Sequence, residues 1–309
     1  MPIAAHQKKT RDVIIEGRSL KLTNLGKVLY PSGFTKAGVI DYYTRVAKWM
    51  LPHLENRMLT LKRYPDGTTG DFFYEKRCPS YKPEWLKSPA IEHTRGKAAI
   101  SYCQVGNTAG IVWVANLASL EFHTLLSKEK DVKCPTMLAI DLDPGPGISI
   151  TNCARYALIL KDLFKQLELE SFPKTSGGKG LHVYVPLNTA VTFDKTKAFA
   201  HALALHMEKK FPNDITSLMK RDLRLGKIMV DWSQNDEHKT TVCVYSLRAR
   251  EEPTVSTPLT WQEVLKISKR KDLSGFDFNA QNVPQRLEKM GDLFEPVLKL
   301  KPKLPSLAL

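Results

Sequence analysis

The sequence predicts a mixed α/β or α+β fold, and three observations carry that reading. Short runs alternate in side-chain character at a period of two, longer stretches between them repeat apolar residues at helical spacing, and Pro-Gly clusters punctuate the changes. With 309 residues and 42% hydrophobic content, the chain can bury a substantial core as one large domain or two intimate ones.

The clearest element is MLAIDLD from Met137, a strand that puts Ile140 and Leu142 on one face and Asp141 and Asp143 on the other. Pro-Gly-Pro-Gly then ends it. From Thr151 to Leu169 the spacing of Cys153, Tyr156, Ala157, Leu160, Leu163, Phe164 and Leu167 predicts an amphipathic helix, with Ser149 or Thr151 as its cap. LHVYVPL from Leu181 is a two-sided strand, His182 and Tyr184 opposite Leu181, Val183 and Val185. A second helix runs from Asp194, its expected N-cap, to Phe211, where Pro212 stops it. KIMVDW from Lys227 places Asp231 at a strand end, and Cys243 to Leu247 reads as a further strand. The order β-α-β-α-β, with carboxylates on strand ends, makes a workable floor for an active site.

Composition narrows the partners. The 46 Lys and Arg against 32 Asp and Glu give a net charge of +14, which favours a polyanion such as nucleic acid or an anionic membrane. The uncharged stretch from Ala98 to Leu120 contains Ser101, Gln104, Asn107, Thr108 and Asn116 and lacks the apolar continuity of a spanning helix. The start, MPIAAHQKKTRD, has no secretory or transit pattern, so the cytoplasm is the expected location. Five cysteines without a CxxC pair predict buried reduced thiols rather than a disulfide framework or a zinc site. Residues 1–12 and 296–309 read as polar or basic, loosely docked tails.

Asp141 and Asp143 on a solvated face would be ordinary surface charge, but their apolar neighbours place them on a covered strand. Two carboxylates there repel unless cations or protons intervene. Hard oxygen ligands suit Mg²⁺ or Mn²⁺, and Asp231 is the candidate third ligand of a two-ion site. SGGKGLH, from Ser176 to His182, brings bare backbone N–H groups and Lys179 to phosphate oxygens; as a sequence it is also ordinary turn chemistry, and it is not a Walker A loop. Basic residues cluster with aromatics at Lys62, Arg63, Phe72, Phe73, Lys76 and Arg77, and again at Lys220, Arg221, Arg224 and Lys227, a pattern suited to phosphate contact and base stacking. His123, isolated in LEFHTLL, is as readily structural as functional.

Taken together, LTNLGKVLYP from Leu22, LTLKRYPDG from Leu59, FFYEKRCP from Phe72, AIDLDPGPG from Ala139, TSGGKGLHVYVPL from Thr175 and VDWSQN from Val230 closely resemble the polymerase domain of bacterial ligase D, within the archaeo-eukaryotic primase superfamily. The likeness runs from Ile15 to Asp292. It implies an α+β primase-polymerase fold over residues 13–295, an RRM-like catalytic sheet joined to a second α/β unit. It also implies gap filling and end extension in nonhomologous end joining, with a ribonucleotide preference and two divalent ions, Mn²⁺ or Mg²⁺.

Carried over residue by residue, Asp141, Asp143 and Asp231 hold the metals, Asp231 nearest the primer 3′ hydroxyl. Ser176, Lys179, His182 and Arg248 contact the incoming nucleotide, NTP or dNTP, with Lys62 and His123 near that pocket. Lys27, Lys36 and Asn24 match a pocket for the 5′ phosphate beyond a gap. Phe72, Phe73, Arg224 and Gln234 match contacts to DNA or template. One departure is the loop PSGFT before Lys36, shorter than the family pattern. No KxDG segment is present, so the resemblance implies Ku and a separate ligase activity as partners at gapped or broken DNA. The same carboxylates would also serve a nuclease, and the basic groups an end-binding module without catalysis.

Overall fold

The structure is a computed structural model that describes residues 10–93, 97–270 and 276–305. Strands β1 (Thr10–Ile15) and β2 (Arg18–Thr23) pair antiparallel, so residues 10–12, expected in a tail, belong to a hairpin. Helix α1 (Lys36–Leu54) starts at Thr35, whose hydroxyl accepts from the Gly38 N–H. Its Tyr43 ring stacks on Phe122 at 4.4 Å, and the Tyr43 hydroxyl donates to the Leu120 carbonyl at 2.7 Å.

Strands β3 (Leu59–Arg63), β4 (Phe73–Glu75), β5 (Ala90–His93) and β6 (Lys97–Ser101) precede helix α2 (Thr108–Asn116), which Asn107 caps. Then come β7 (Ser119–Leu125), β8 (Ser127–Lys128) and β9 (Asp131–Pro135). The second half holds β10 (Met137–Pro144), α3 (Ile150–Gln166), β11 (Phe172–Thr175), β12 (Leu181–Pro186), α4 (Phe193–Lys210), β13 (Ile215–Thr216) and β14 (Ile228–Asp231). Strand β15 (Thr240–Val242) and helices α5 (Trp261–Ser268), α6 (Val283–Met290) and α7 (Pro296–Lys299) complete the described elements.

Two sheets organise the chain. The larger has the order β11-β12-β10-β14-β13, antiparallel except for the β13/β14 pair. Its βαββαβ succession, with β10 central, is the RRM-like arrangement the resemblance implied. The smaller, β15-β7-β3-β4, is antiparallel throughout. One face of the larger sheet buries Ile140, Leu142, Val183, Val185 and Val230 against Ala157, Leu160, Leu203 and Met207 of α3 and α4. The other face changes character along its length. Met137, Ala139 and Tyr184 join the core shared with α1 and the smaller sheet, whereas Asp141, Asp143 and His182 lie further along and face a cleft.

Several sequence expectations shift. The N-cap position of helix α4 is Thr192, whose side chain makes no capping bond, and Asp194 lies in the first turn, where an acid suits the positive helix end. The segment from Cys243 to Leu247 is not a strand: pairing with β7 stops at Val242, the Ser246 N–H donates back to the Cys243 carbonyl, and Tyr245 sits at φ 65. Its apolar residues are buried by tertiary packing instead. Residues 296–300, expected in a tail, dock through buried Val297 and through Asn188, whose Nδ2 donates to the Val297 and Leu300 carbonyls at 3.0 and 2.7 Å. Residues 1–9 and 306–309 lie outside the described residues.

The cysteines need correction too. Cys78 and Cys103 form a disulfide, while Cys153 and Cys243 are buried free thiols and Cys134 is half-buried. Residue spacing hid the pair, which meets only because β5 and β6 fold back between them. The bridge closes a loop at a sequence separation of 25 and should contribute about 3.5 kcal/mol of stability. We expect the Cys78→Ser/Cys103→Ser variant to unfold at lower urea than the oxidised chain, and reductant to lower the midpoint of the wild type alone. Equal midpoints with and without reductant would argue against the bridge.

Candidate active site

The cleft between the two sheets has a volume of about 610 Å³. Its floor is the outward face of β10 and β14, where the antiparallel register sets Asp141 directly opposite Asp231. Asn235, fully buried, fixes that register. Its side chain accepts from the Ala139 N–H at 2.9 Å and donates to the Ala139 carbonyl at 2.7 Å, taking the place of a further strand residue beyond β14.

Burial and the nearby Asp231 and Asp143 push the Asp141 carboxyl up to about 7. Burial also raises Asp143, although the Arg224 guanidinium, 3.3 Å from its Oδ2, opposes the shift. Asp231 is tied down on both oxygens. Oδ1 accepts from the Ser233 N–H at 2.9 Å and the Ser233 hydroxyl at 2.6 Å, and Oδ2 accepts from Gln234 Nε2 at 2.9 Å. Lys239 donates in turn to Ser233 Oγ at 2.6 Å. His182 Nε2 lies 3.3 Å from Asp141 Oδ1, and burial, with Lys174 and Arg248 nearby, keeps its ring neutral.

Among the described residues, no three acids, imidazoles or thiols are drawn into a finished cage for an ion. The donor set nevertheless suits Mg²⁺ or Mn²⁺, which bind through few carboxylates and complete their shell with water and phosphate oxygens. Crowded, partly desolvated carboxylates are what such a charge would relieve, and Arg224 and Gln234 are the groups now meeting that need.

The glycine loop after β11 forms the next wall. The Ser176 hydroxyl accepts from the Gly178 and Gly180 N–H groups, both at 3.1 Å, and pins the turn. Gly177, at φ +69, has Arg248 Cγ and the Ser256 backbone where a Cβ would lie, and a Cβ on Gly180 would sit 2.5 Å from the Leu142 carbonyl oxygen. Lys179 also lines this cleft.

The third wall comes from the smaller sheet and the segment that follows β15. Glu121 on β7, 2% exposed, gathers His123 Nε2 at 2.9 Å, Arg248 Nε at 3.2 Å, Lys62 Nζ at 3.8 Å and the Ala249 N–H at 3.1 Å. Burial works against its charge, but the His123 hydrogen bond, Arg248 and Lys62 prevail and hold the carboxyl well below the usual range. An ionised Glu121 can only accept, so His123 carries its proton on Nε2 and leaves Nδ1 as an acceptor. Arg248 Nη1 also donates to the Ser176 carbonyl at 2.6 Å, joining this wall to the glycine loop.

The structure thus brings His123, Asp141, Asp143, Ser176, Lys179, His182, Arg224, Asp231, Gln234 and Arg248 to one cleft. Lys62 stands behind it, 4.1 Å from the Phe72 ring, and Phe73 lies under Arg63 at 5.2 Å. The aromatic that reaches the cleft is Tyr74, which the sequence did not single out; Arg250, Lys239 and buried Glu121 were missed as well. Alternation along β4 is the signal that separates Tyr74 from Phe73. Lys27, Lys36 and Asn24 assemble elsewhere, beside the start of α1. Lys27 Nζ pairs with Asp66 at 2.7 Å, and buried Lys36 donates to Thr23 Oγ1 at 3.1 Å. Burial, with Lys27 and Arg63 near, pushes the Lys36 ammonium down to about 8.

Comparison with known proteins matches residues 35–294 to the model of the LigD primase-polymerase domain. The chain belongs to this family. It is 40% identical over 281 residues to the multifunctional non-homologous end joining protein LigD of Mycolicibacterium smegmatis, covering 90% of this chain and 36% of that protein. The bifunctional LigD of Bacillus subtilis is 32% identical over 274 residues, 88% of this chain and 43% of the relative. The chain therefore spans less than half the length of these LigD proteins. The polymerase domain of Mycobacterium tuberculosis ligase D in complex with DNA superposes with a TM-score of 0.83 at 37% identity, covering 92% of this chain and 99% of that one. No helix among the described residues is long and apolar enough to cross a membrane.

A native Asp141 that keeps its proton up to about pH 7 has a cost. The unfolded chain gives up that proton near pH 4, so between about 4 and 7 the folded state binds more protons and stability falls as pH rises. Without divalent ions, urea midpoints of the wild type should decline across that window, and Asp141→Asn should flatten the decline. A slope unchanged by the substitution would contradict the crowding described for this face.

Proposed function

We propose that this chain is a template-directed polymerase that fills gaps and extends 3′ ends at DNA double-strand breaks during nonhomologous end joining. One observation carries the reading. Three carboxylates from paired strands, a hydroxyl-pinned glycine loop and a wall of cations all face one cleft, within a chain that matches the LigD polymerase domain.

Asp141, Asp143 and Asp231 are the residues that would hold two Mn²⁺ or Mg²⁺ ions. Bound there, the ions supply activation of the primer 3′ oxygen and charge compensation on the departing pyrophosphate. The protein's part is orientation. The glycine loop with Lys179 and Arg250 binds the triphosphate, Arg248 braces the loop, and Tyr74, with Phe72 and Phe73 nearby, offers stacking surface to bases. The His123 tautomer presents an acceptor suited to a sugar hydroxyl, which supports a preference for ribonucleotides.

Lys27, Lys36 and Asn24 recognise the downstream 5′ phosphate. Lys36, already desolvated and beside Lys27, would be relieved by an anion between them. Ku and a ligase activity are the functional partners of this reading, because extension alone leaves the break unsealed, and a reaction on chromosomal ends belongs in the cytoplasm of the cell that carries them.

Extension of a 5′-phosphorylated gapped duplex, with ribo- or deoxynucleotides under Mg²⁺ or Mn²⁺, tests the reading. Lengthening that requires nucleotides and favours ribonucleotides is expected, whereas shortening without nucleotides would point to hydrolysis. Asp141→Ala/Asp143→Ala should reduce extension by at least about a thousandfold while binding to the duplex is retained. Removing the 5′ phosphate should weaken binding to the wild type and leave Lys27→Ala nearly indifferent, as gel shifts at fixed salt would show.

A further inference from the structure

Glu121 stands apart in the cleft wall because it has the wrong sign for a site that binds a polyanion. It is buried in the middle of β7, directly across from Lys62 on β3 and two residues from His123 on the same strand face. An unpaired carboxylate there would be strongly unfavourable, and of its partners His123 and Arg248 line the cleft while Lys62 and Ala249 stand behind it. Oε1 takes the Ala249 N–H and lies 3.8 Å from Lys62, while Oε2 faces His123 and Arg248. These partners come from three separate segments of the chain. Left to themselves, Lys62 and Arg248 would repel and turn toward water.

We propose that Glu121 is the positioning residue of the nucleotide site: its carboxylate fixes Arg248, Lys62 and His123, and through Arg248 the Ser176 loop, without touching the nucleotide. The link to the loop is the 2.6 Å bond from Arg248 Nη1 to the Ser176 carbonyl. Arg248 Nε is buried with no hydrogen bond of its own, so ion pairing with Glu121 is what orients that end of the guanidinium. Two contributions to binding follow. The cations wait in place rather than being ordered by the ligand, and the His123 proton is held on the side away from the cleft. The inference rests on the nucleotide-site reading above.

Glu121→Gln keeps the shape and can still accept from Ala249, but it sets an amide or a weaker acceptor against His123 and Arg248. The expected result is a nucleotide KM about tenfold higher, kcat at saturation within about threefold, and an unchanged affinity for 5′-phosphorylated gapped duplex. Arg248→Ala should raise nucleotide KM by itself, and adding Glu121→Gln to it should raise KM by less than about twofold more. If Arg248→Ala leaves KM unchanged, the nucleotide-site reading fails. If Arg248→Ala raises KM but Glu121→Gln does not, or if the two effects multiply, the positioning role is overturned. Thermal melting checks that each variant is folded. Should Glu121→Gln not fold, the same cycle runs with Glu121→Asp, which keeps the charge but withdraws it, and the same outcomes decide.

Discussion

The constraint on which the rest of the structure depends is the pairing of Asp141 with Asp231 across β10 and β14. Side chains opposite one another in an antiparallel pair lie within about 5.5 Å, where like charges destabilise the sheet. Asp143 adds a third acid on the same face. The surroundings answer that repulsion locally, with Ser233 and Gln234 on Asp231, Arg224 on Asp143 and His182 on Asp141. The apolar far side answers it globally. A slip of one residue would turn the acids into the packed helices and Ile140 and Leu142 into the cleft, so the register cannot drift.

Across the cleft the electrostatics reverse. Cations line the opposing wall, and a single buried carboxylate behind them keeps the arrangement compact, so the cavity has an acidic floor and a basic wall. That division suits a ligand whose phosphates need cations at one end and divalent ions at the other. The acids of the floor come from β10 and β14 of the larger sheet, whereas the cations come from the glycine loop, from Arg224 before β14 and from Arg248 and Arg250 after β15.

Much of this was legible in the sequence, because β12 and the end of β10 alternate with a period of two, β14 is a short apolar run ending in Asp231, and all three are bounded by Pro, Gly or a helix cap. What escaped did so for identifiable reasons. FPKT, which forms β11, is four residues long and holds a proline, so no alternation could mark it. Cys243 to Leu247 carries a strand-like composition because it is buried, yet its backbone turns. Glu121 in LEFHTLL looks like a lone charge in an apolar strand; its meaning lies in Lys62 and Arg248, which are distant along the chain. The disulfide likewise depends on a hairpin whose return no spacing rule announces.

That disulfide has an architectural consequence. Cys78 follows β4, the strand that carries Phe73 and Tyr74 to the rim of the cleft, and Cys103 precedes α2, so the covalent ring between them contains β5 and β6. The excursion is therefore moored at its root to the wall that bears the aromatics. The tie fixes the spacing between the aromatic rim and the start of α2 covalently, where the Cys78 N–H bond to the Ser101 carbonyl would otherwise be the nearest backbone link.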